Sequence, residues 1–276
     1  MFRNRFFLSA LLMSRFAAAQ TPVDQPPPQP GTPGFEQLPV RVEFGVSSSD
    51  VDHSLGPWNT VDTSIWFRGN HFFIPNLTVD SQTRPAGTQQ NYAFFSYLNW
   101  TDSFYTTQGF SASAAHDAAT TYYPRFRYDI KAYYKFPPGR HFVLGAGYTH
   151  FNLGPTGHGD IINVGSLYYH NKLVLEGNLF INRSQPDNLW SASGTISAQY
   201  GREGHYWLGS TFGAGRELYE FVGQTPFQVE FQSYSLNIFY RRWLTRHMGI
   251  VLSFDYLNNV TAYRQIGGTG HLFFEF

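Results

Sequence analysis

A two-residue period runs through this chain from about residue 38 to its end, and it restricts the fold more than any other feature. Val40, Val42, Phe44 and Val46 alternate with Arg41, Glu43 and Gly45. Phe126, Tyr128, Ile130, Ala132, Tyr134 and Phe136 alternate with Arg125, Arg127, Asp129, Lys131, Tyr133 and Lys135. Trp190, Ala192, Gly194, Ile196 and Ala198 alternate with Ser191, Ser193, Thr195 and Ser197. Successive side chains of a strand point to opposite faces, so each segment has one apolar face with aromatic ends and one polar, charged or glycine face. Helical spacing fits none of them. About fourteen such segments can be counted: 39–48, 58–68, 72–83, 91–100, 104–115, 123–136, 141–152, 161–170, 173–183, 189–201, 205–216, 227–242, 248–258 and 264–276. The third is the weakest, because Pro75 cannot donate to a ladder. If the second and third segments form a loop hairpin instead, about twelve strands remain.

Two architectures use such strands. A soluble sandwich turns its apolar faces inward, whereas a transmembrane barrel turns them to lipid and lines its lumen with the polar faces. Three features favour the barrel. Segment length matches the ~9–11 residues needed to cross a bilayer at a tilt. Phe126, Tyr134, Phe136, Trp190, Tyr200, Tyr240 and Trp243 stand at segment ends, as an interfacial aromatic girdle would. Short connections such as Gly69-Asn70 and Asn171-Lys172 alternate with longer ones at 49–57, 84–90, 116–122, 153–160, 184–188, 217–226 and 259–263. The expected fold class is all-β: a transmembrane, up-and-down, antiparallel β-barrel of bacterial outer-membrane type. Both termini are expected in the periplasm. Leu272, Phe274 and the final Phe276 form a terminal strand with an aromatic end, suited to an assembly signal for barrel-insertion machinery.

Ahead of the barrel, Arg3 and Arg5 precede the apolar run 6–13, and Ala17-Ala18-Ala19 offers a cleavage site. Residues 1–19 read as a signal peptide. Residues 20–37 carry six prolines between Pro22 and Pro33 and read as a stiff periplasmic tail. Residues 38–276 form the barrel. The chain has no cysteine, which excludes disulfides and Cys-based metal sites. Lys+Arg and Asp+Glu are 19 each, so no basic excess exists to bind nucleic acid.

At several places the sequence resembles the YaiO family of outer-membrane β-barrel proteins. The likeness is carried by Tyr123-Pro124-Arg125, Gly145 and Gly147, Leu167-Tyr168-Tyr169-His170, Gly201-Arg202-Glu203-Gly204-His205-Tyr206, Gly213-Ala214-Gly215-Arg216-Glu217, Arg241-Arg242-Trp243 and Phe273-Phe274-Glu275-Phe276. It runs from about Tyr122 to Phe276, with 38–120 fitting as further strands. The resemblance implies outer-membrane location and supplies no catalytic motif. Similar barrels are associated with polysaccharide export, which would imply an export partner.

The candidate functional residues are the lumen charges. Arg125, Arg127, Asp129, Lys131 and Lys135 share one face of one segment; Glu176, Glu230, Arg241, Asp255 and Glu275 lie on the polar faces of others. They could line a pore that selects a polar solute, or pair with one another and plug a narrow barrel. His71, His141, His170, His205 and His247 fall at the short turns with Arg68, Arg140, Lys172, Arg202, Arg242 and Arg246. Spread around a rim, these histidines do not converge on a metal. A lipid-active enzyme would need a Ser, a His and an acid on the outer wall; His150, Ser184 and Asp187 lie near neighbouring loops, with no motif joining them. The expectation is therefore a non-enzymatic, cofactor-free barrel for passage or export of a polar solute or oligosaccharide. A plugged structural barrel that docks a periplasmic partner is the alternative.

Overall fold

The computed structural model describes residues 37–276 except 53–54, 115–122, 155–156, 187, 222–226 and 261–262; of 217–221 and 227–231 it describes the backbone alone. The signal peptide and nearly all of the Pro-rich tail expected ahead of the barrel lie outside the described residues. Fourteen strands follow one another around a closed barrel: β1 (Val40–Val51), β2 (Trp58–Phe67), β3 (Phe73–Arg84), β4 (Gly87–Asn99), β5 (Phe104–Ala114), β6 (Phe126–Lys135), β7 (Phe142–Asn152), β8 (His158–His170), β9 (Leu173–Gln185), β10 (Leu189–Arg202), β11 (Tyr206–Phe221), β12 (Phe227–Trp243), β13 (Met248–Asn259) and β14 (Tyr263–Glu275). Every pairing is antiparallel and between chain neighbours except the last. There β14 returns to β1, with Arg41 opposite Glu275 and Val51 opposite Gln265. Val40 and Phe276 exchange backbone hydrogen bonds of 3.2 and 2.9 Å at one end, called the terminal end below; the opposite end is the distal end. Closure leaves no strand edge, the condition for a sheet in hydrocarbon.

The alternation sorts the side chains as the period requires. Phe44, Val61, Val79, Ile130, Leu144, Val164, Leu179, Ile196, Phe212 and Leu252 all face outward and are exposed. Their alternating neighbours turn into the lumen. A soluble sandwich would bury such an apolar band; here it is the surface that meets lipid.

Three expectations need correction. The hairpin from β3 to β4 is closed by Pro85 and Ala86, with Arg84 opposite Gly87, so no long loop spans 84–90. The polar residues that suggested a loop continue the ladder beyond the apolar band. Pro75 does not break β3, because the β2–β3 ladder ends at Trp66 opposite Asn76, and only β4 pairs alongside the proline. The twelve-strand alternative falls with it. Trp243 does not join the outer girdle. It shares the inward face with Arg241 and is buried, while Tyr240 and Arg242 face outward.

Terminal-end turns are set by local polar chemistry. The Asn70 carboxamide oxygen accepts from Phe72 N at 2.8 Å, and Thr101 Oγ1 accepts from Phe104 N at 3.0 Å. Such bonds satisfy turn amides that no strand can reach. Inside-out patterning gives a direct test. Ile196 is 65% exposed near the middle of β10, so Ile196→Arg should cost about 2–4 kcal/mol of unfolding free energy in lipid vesicles, whereas Ser197→Arg, facing the lumen, should cost much less. Urea titration of both variants followed by Trp fluorescence measures the difference.

Candidate functional site

The lumen at the terminal end is filled by charge on the β10–β2 side of the barrel. Arg41 and Glu275 meet across the β1–β14 seam, where Arg41 Nε donates to Glu275 Oε1 at 2.7 Å. Arg68, just beyond β2, donates to the same carboxylate at 2.9 Å. Glu203 reaches in from the β10–β11 turn to Arg41 at 2.9 Å and Arg68 at 3.4 Å. Trp243 and Trp207 each donate an indole N–H, to Glu275 and Glu203 respectively. Deeper along the seam, Glu43 accepts from Arg241 at 3.4 Å and bonds His271 at 2.7 Å; the other ring nitrogen of His271 lies 3.5 Å from Asp62. The Phe273 ring lies between two guanidiniums, 4.8 Å from Arg41 and 5.7 Å from Arg241. Gly45 makes room for this arrangement, because a Cβ there would overlap the His271 ring. Gly204, at φ 82°, bends the turn that carries Glu203 inward. Three arginines thus face three glutamates, each cation with a partner, as buried charges require. Burial and then the neighbouring Arg41 push the Arg68 guanidinium below its ordinary value, against the pull of Glu275 and Glu203.

The other side of the same end is filled by rings. Trp66, Tyr97, Tyr105, Tyr133, Val143 and Leu167 form one buried cluster. Tyr105 and Tyr133 stack with centroids 4.5 Å apart, and Lys135 lies 5.0 Å over Tyr105. The charged and aromatic halves together make a plug.

Above the plug the lumen widens into a chamber of about 320 Å³. Arg127 grips Asp129 through two nitrogens, and Thr149 also donates to Asp129. Lys131 donates to Asn178 at 3.0 Å, and Asn178 donates to Glu176 at 2.8 Å. Asn163, Asn182, Ser193, Thr195, Ser233 and Ser235 supply further amides and hydroxyls. Gly147 and Gly213 face it without side chains, and that absence is part of the space.

The anticipated lumen charges therefore divide. Arg127, Asp129 and Lys131 line the chamber, and Glu176 joins their network. Lys135 packs on the aromatic half of the plug, whereas Arg241 and Glu275 are core members of its charged half. Asp255 accepts from Asn237 at 2.7 Å elsewhere on the wall. Arg125 is exposed at the distal end, beside Gly154. Glu230 lies opposite Leu218 in the ladder, and its side chain is outside the described residues. Leu272 and Phe276 are exposed on the outer wall, with Phe274 half-buried between them. Arg41, Glu43, Arg68, Glu203 and His271 were not anticipated as a site. Alternation with Val40, Val42 and Phe44 places Arg41 and Glu43 inward, so that signal was available. Arg68 was expected at the rim and turns into the plug. The supposed catalytic trio is not assembled: His150 bonds Asp160 at 2.9 Å on the outer wall, Ser184 faces the lumen, and Asp187 is outside the described residues. Among the described residues no three His, Asp or Glu side chains are placed to hold a metal ion.

A closed fourteen-strand barrel with an apolar outer band and a polar lumen defines an integral outer-membrane β-barrel. A family model, the YaiO membrane beta barrel domain, matches residues 40–220, and the chain belongs to that family. The match takes in the early strands, so the family likeness is not confined to 122–276 as the motifs suggested. Among solved structures, the chain is similar to a bacterial polysaccharide outer membrane secretin, with 6% identity and a TM-score of 0.55 over 87% of this chain and 99% of that one. It is also similar to the outer membrane protein Omp33 of Acinetobacter baumannii, with 12% identity and a TM-score of 0.49 over 87% of this chain and 100% of that one. At such identities the likeness is one of fold. No protein of curated function matches the chain in sequence.

The plug makes a quantitative prediction. Glu43→Ala removes the carboxylate shared by Arg241 and His271 and should cost about 3–5 kcal/mol. The double variant Glu43→Met/Arg241→Met should lose less than Glu43→Ala, because no guanidinium is left unpaired and His271 keeps Asp62 beside it. Urea unfolding of the refolded barrels measures both.

Proposed function

We propose that the barrel passes or exports a small polar solute, with an oligosaccharide segment as the best-suited class, and that the plug holds the passage shut at rest. The observation that carries this reading is the contrast in burial along one lumen. The Glu275 side chain in the plug is 0% exposed and that of Arg241 2%, whereas the chamber side chains of Arg127 and Asp129 are 27% and 31% exposed. A wide open pore would leave all four wet. The chamber's mix of amides, hydroxyls, one guanidinium–carboxylate pair and Tyr133 suits a polyhydroxylated guest. The fold shared with a polysaccharide secretin is consistent with this class. In this reading the terminal end faces the periplasm, no bond is made or broken, and the partners are outer-membrane lipid, the barrel assembly machinery that reads Leu272, Phe274 and Phe276, and a polysaccharide-export component.

The pairing of each plug arginine with a carboxylate also supports a second reading, a permanently sealed barrel whose Pro-rich segment at 20–37 docks a periplasmic partner. Planar-bilayer recording separates the two. The wild-type protein should show rare openings, and Arg68→Ser/Glu203→Ser should raise the open fraction at least tenfold. Asp129→Ser should leave gating alone and shift selectivity toward anions, since it leaves Arg127 and Lys131 facing the permeant ion. Silent bilayers for every variant, with heat-modifiable mobility showing folded barrels, would favour the sealed scaffold.

A further inference from the structure

The lumen arginines of the plug and the chamber all have partners, but two arginines on the outer wall do not. Arg202 ends β10, and Arg242 is the penultimate residue of β12; both side chains are exposed, and neither has an ion-pair or hydrogen-bond partner among the described residues. They are not far apart. Arg202 stands opposite Tyr206 on β11, and Tyr206 stands opposite Arg242, so the three occupy one outward-facing row across three adjacent strands. Neighbouring strands lie about 4.8 Å apart, which puts the two arginine backbones roughly 10 Å apart. Side chains of that length can close on a single group between them.

The surroundings specify the group. Tyr200, Tyr206 and Tyr240 form a chain of rings with successive centroids 6.5 Å apart, and Lys172 Nζ lies 5.9 Å over Tyr200. Immediately toward the bilayer β11 exposes Leu208, and the flanking strands β9 and β13 expose Leu175 and Leu252. The row therefore sits at the boundary between an apolar band and the terminal rim, where tyrosines favour headgroup depth and cations meet phosphate. The acid nearest in sequence, Glu203, points the other way and is held by Arg41, Arg68 and Trp207 inside the lumen. On the outward face of β9–β13 at this end, the described residues include no acid.

We propose that Arg202 and Arg242, with Lys172 and the three tyrosines, form a binding site for the phosphate headgroup of an anionic phospholipid in the leaflet at the terminal rim. The two guanidiniums take the phosphate oxygens, the tyrosine rings pack against the glycerol region, and the acyl chains lie along Leu208 and Leu252. A free phosphate ion would satisfy the arginines but would leave the adjoining apolar wall unused.

The test is native mass spectrometry of the full-length barrel, released from mixed micelles containing equal phosphatidylglycerol and phosphatidylcholine. The wild-type protein should retain phosphatidylglycerol over phosphatidylcholine. Arg202→Gln/Arg242→Gln should reduce that preference about thirtyfold, the ratio expected for two cations at a membrane surface. Arg202→Lys/Arg242→Lys should restore most of it. Arg264→Gln, which alters an outer arginine at the distal end, should leave it unchanged. Heat-modifiable mobility identifies folded protein in each case. A Gln double variant with undiminished preference would overturn the site. Displacement of the lipid by millimolar inorganic phosphate or glycerophosphate would overturn the lipid assignment and leave only a phosphate site.

Discussion

Hydrocarbon offers a peptide group no hydrogen-bond partner, and every other feature of this molecule follows from how the chain meets that constraint. Each strand needs a neighbour on both sides, so β1 must find β14 although almost the whole sequence lies between them. The eleven register pairs from Arg41–Glu275 to Val51–Gln265 supply that final ladder. Closing the sheet also fixes the two faces. Lipid claims one set of alternating side chains, and what remains is forced into a narrow interior where polar groups have mainly one another.

That interior is not uniform. Long side chains on short stretches of β1, β2, β12 and β14 fill the terminal end, while glycines and small hydroxyl residues on β7, β10, β11 and β12 leave space above it. In the filled part water is largely excluded, so each guanidinium must be matched by a carboxylate and each carboxylate by donors. The indole N–H groups of Trp207 and Trp243 complete this set, and the Phe273 face lies against the cations. In the chamber, Arg127 and Asp129 stay partly wet; they pair with each other, and Thr149 donates to Asp129. A filled end and an open chamber therefore coexist in one lumen because side-chain size varies along its length.

Strand order, number and facing were legible in the sequence because each depends on a local period. The extents that were misread show where a local period stops being informative. Arg84, Thr88, Gln89 and Gln90 look like loop residues, since polar side chains on both faces carry no alternation; only the structure shows them paired beyond the lipid. Trp243 resembled a girdle residue by type, although its spacing from Arg241 placed it inside. Glu203 could not be assigned at all. A turn residue has no face until the turn is built, and its partners Arg41 and Arg68 are distant in sequence. The rim cations divide for the same reason, with Arg68 turning in and Arg202 and Arg242 facing out.

The charged half of the plug straddles the line where the first strand meets the last. Arg41 and Glu43 belong to β1; His271, Phe273 and Glu275 belong to β14. Until that line is zipped, Arg41 and Glu275 lack each other, and so do Glu43 and His271, so the charged half of the filled end is not assembled. Sealing the cylinder wall and corking its bore are thus one molecular event. A half-inserted barrel, with its edges still apart, would be leaky, and the leak would end only when the final hydrogen bonds of the wall are made. The same few side chains thus complete the last joint of the wall and fill one end of its bore.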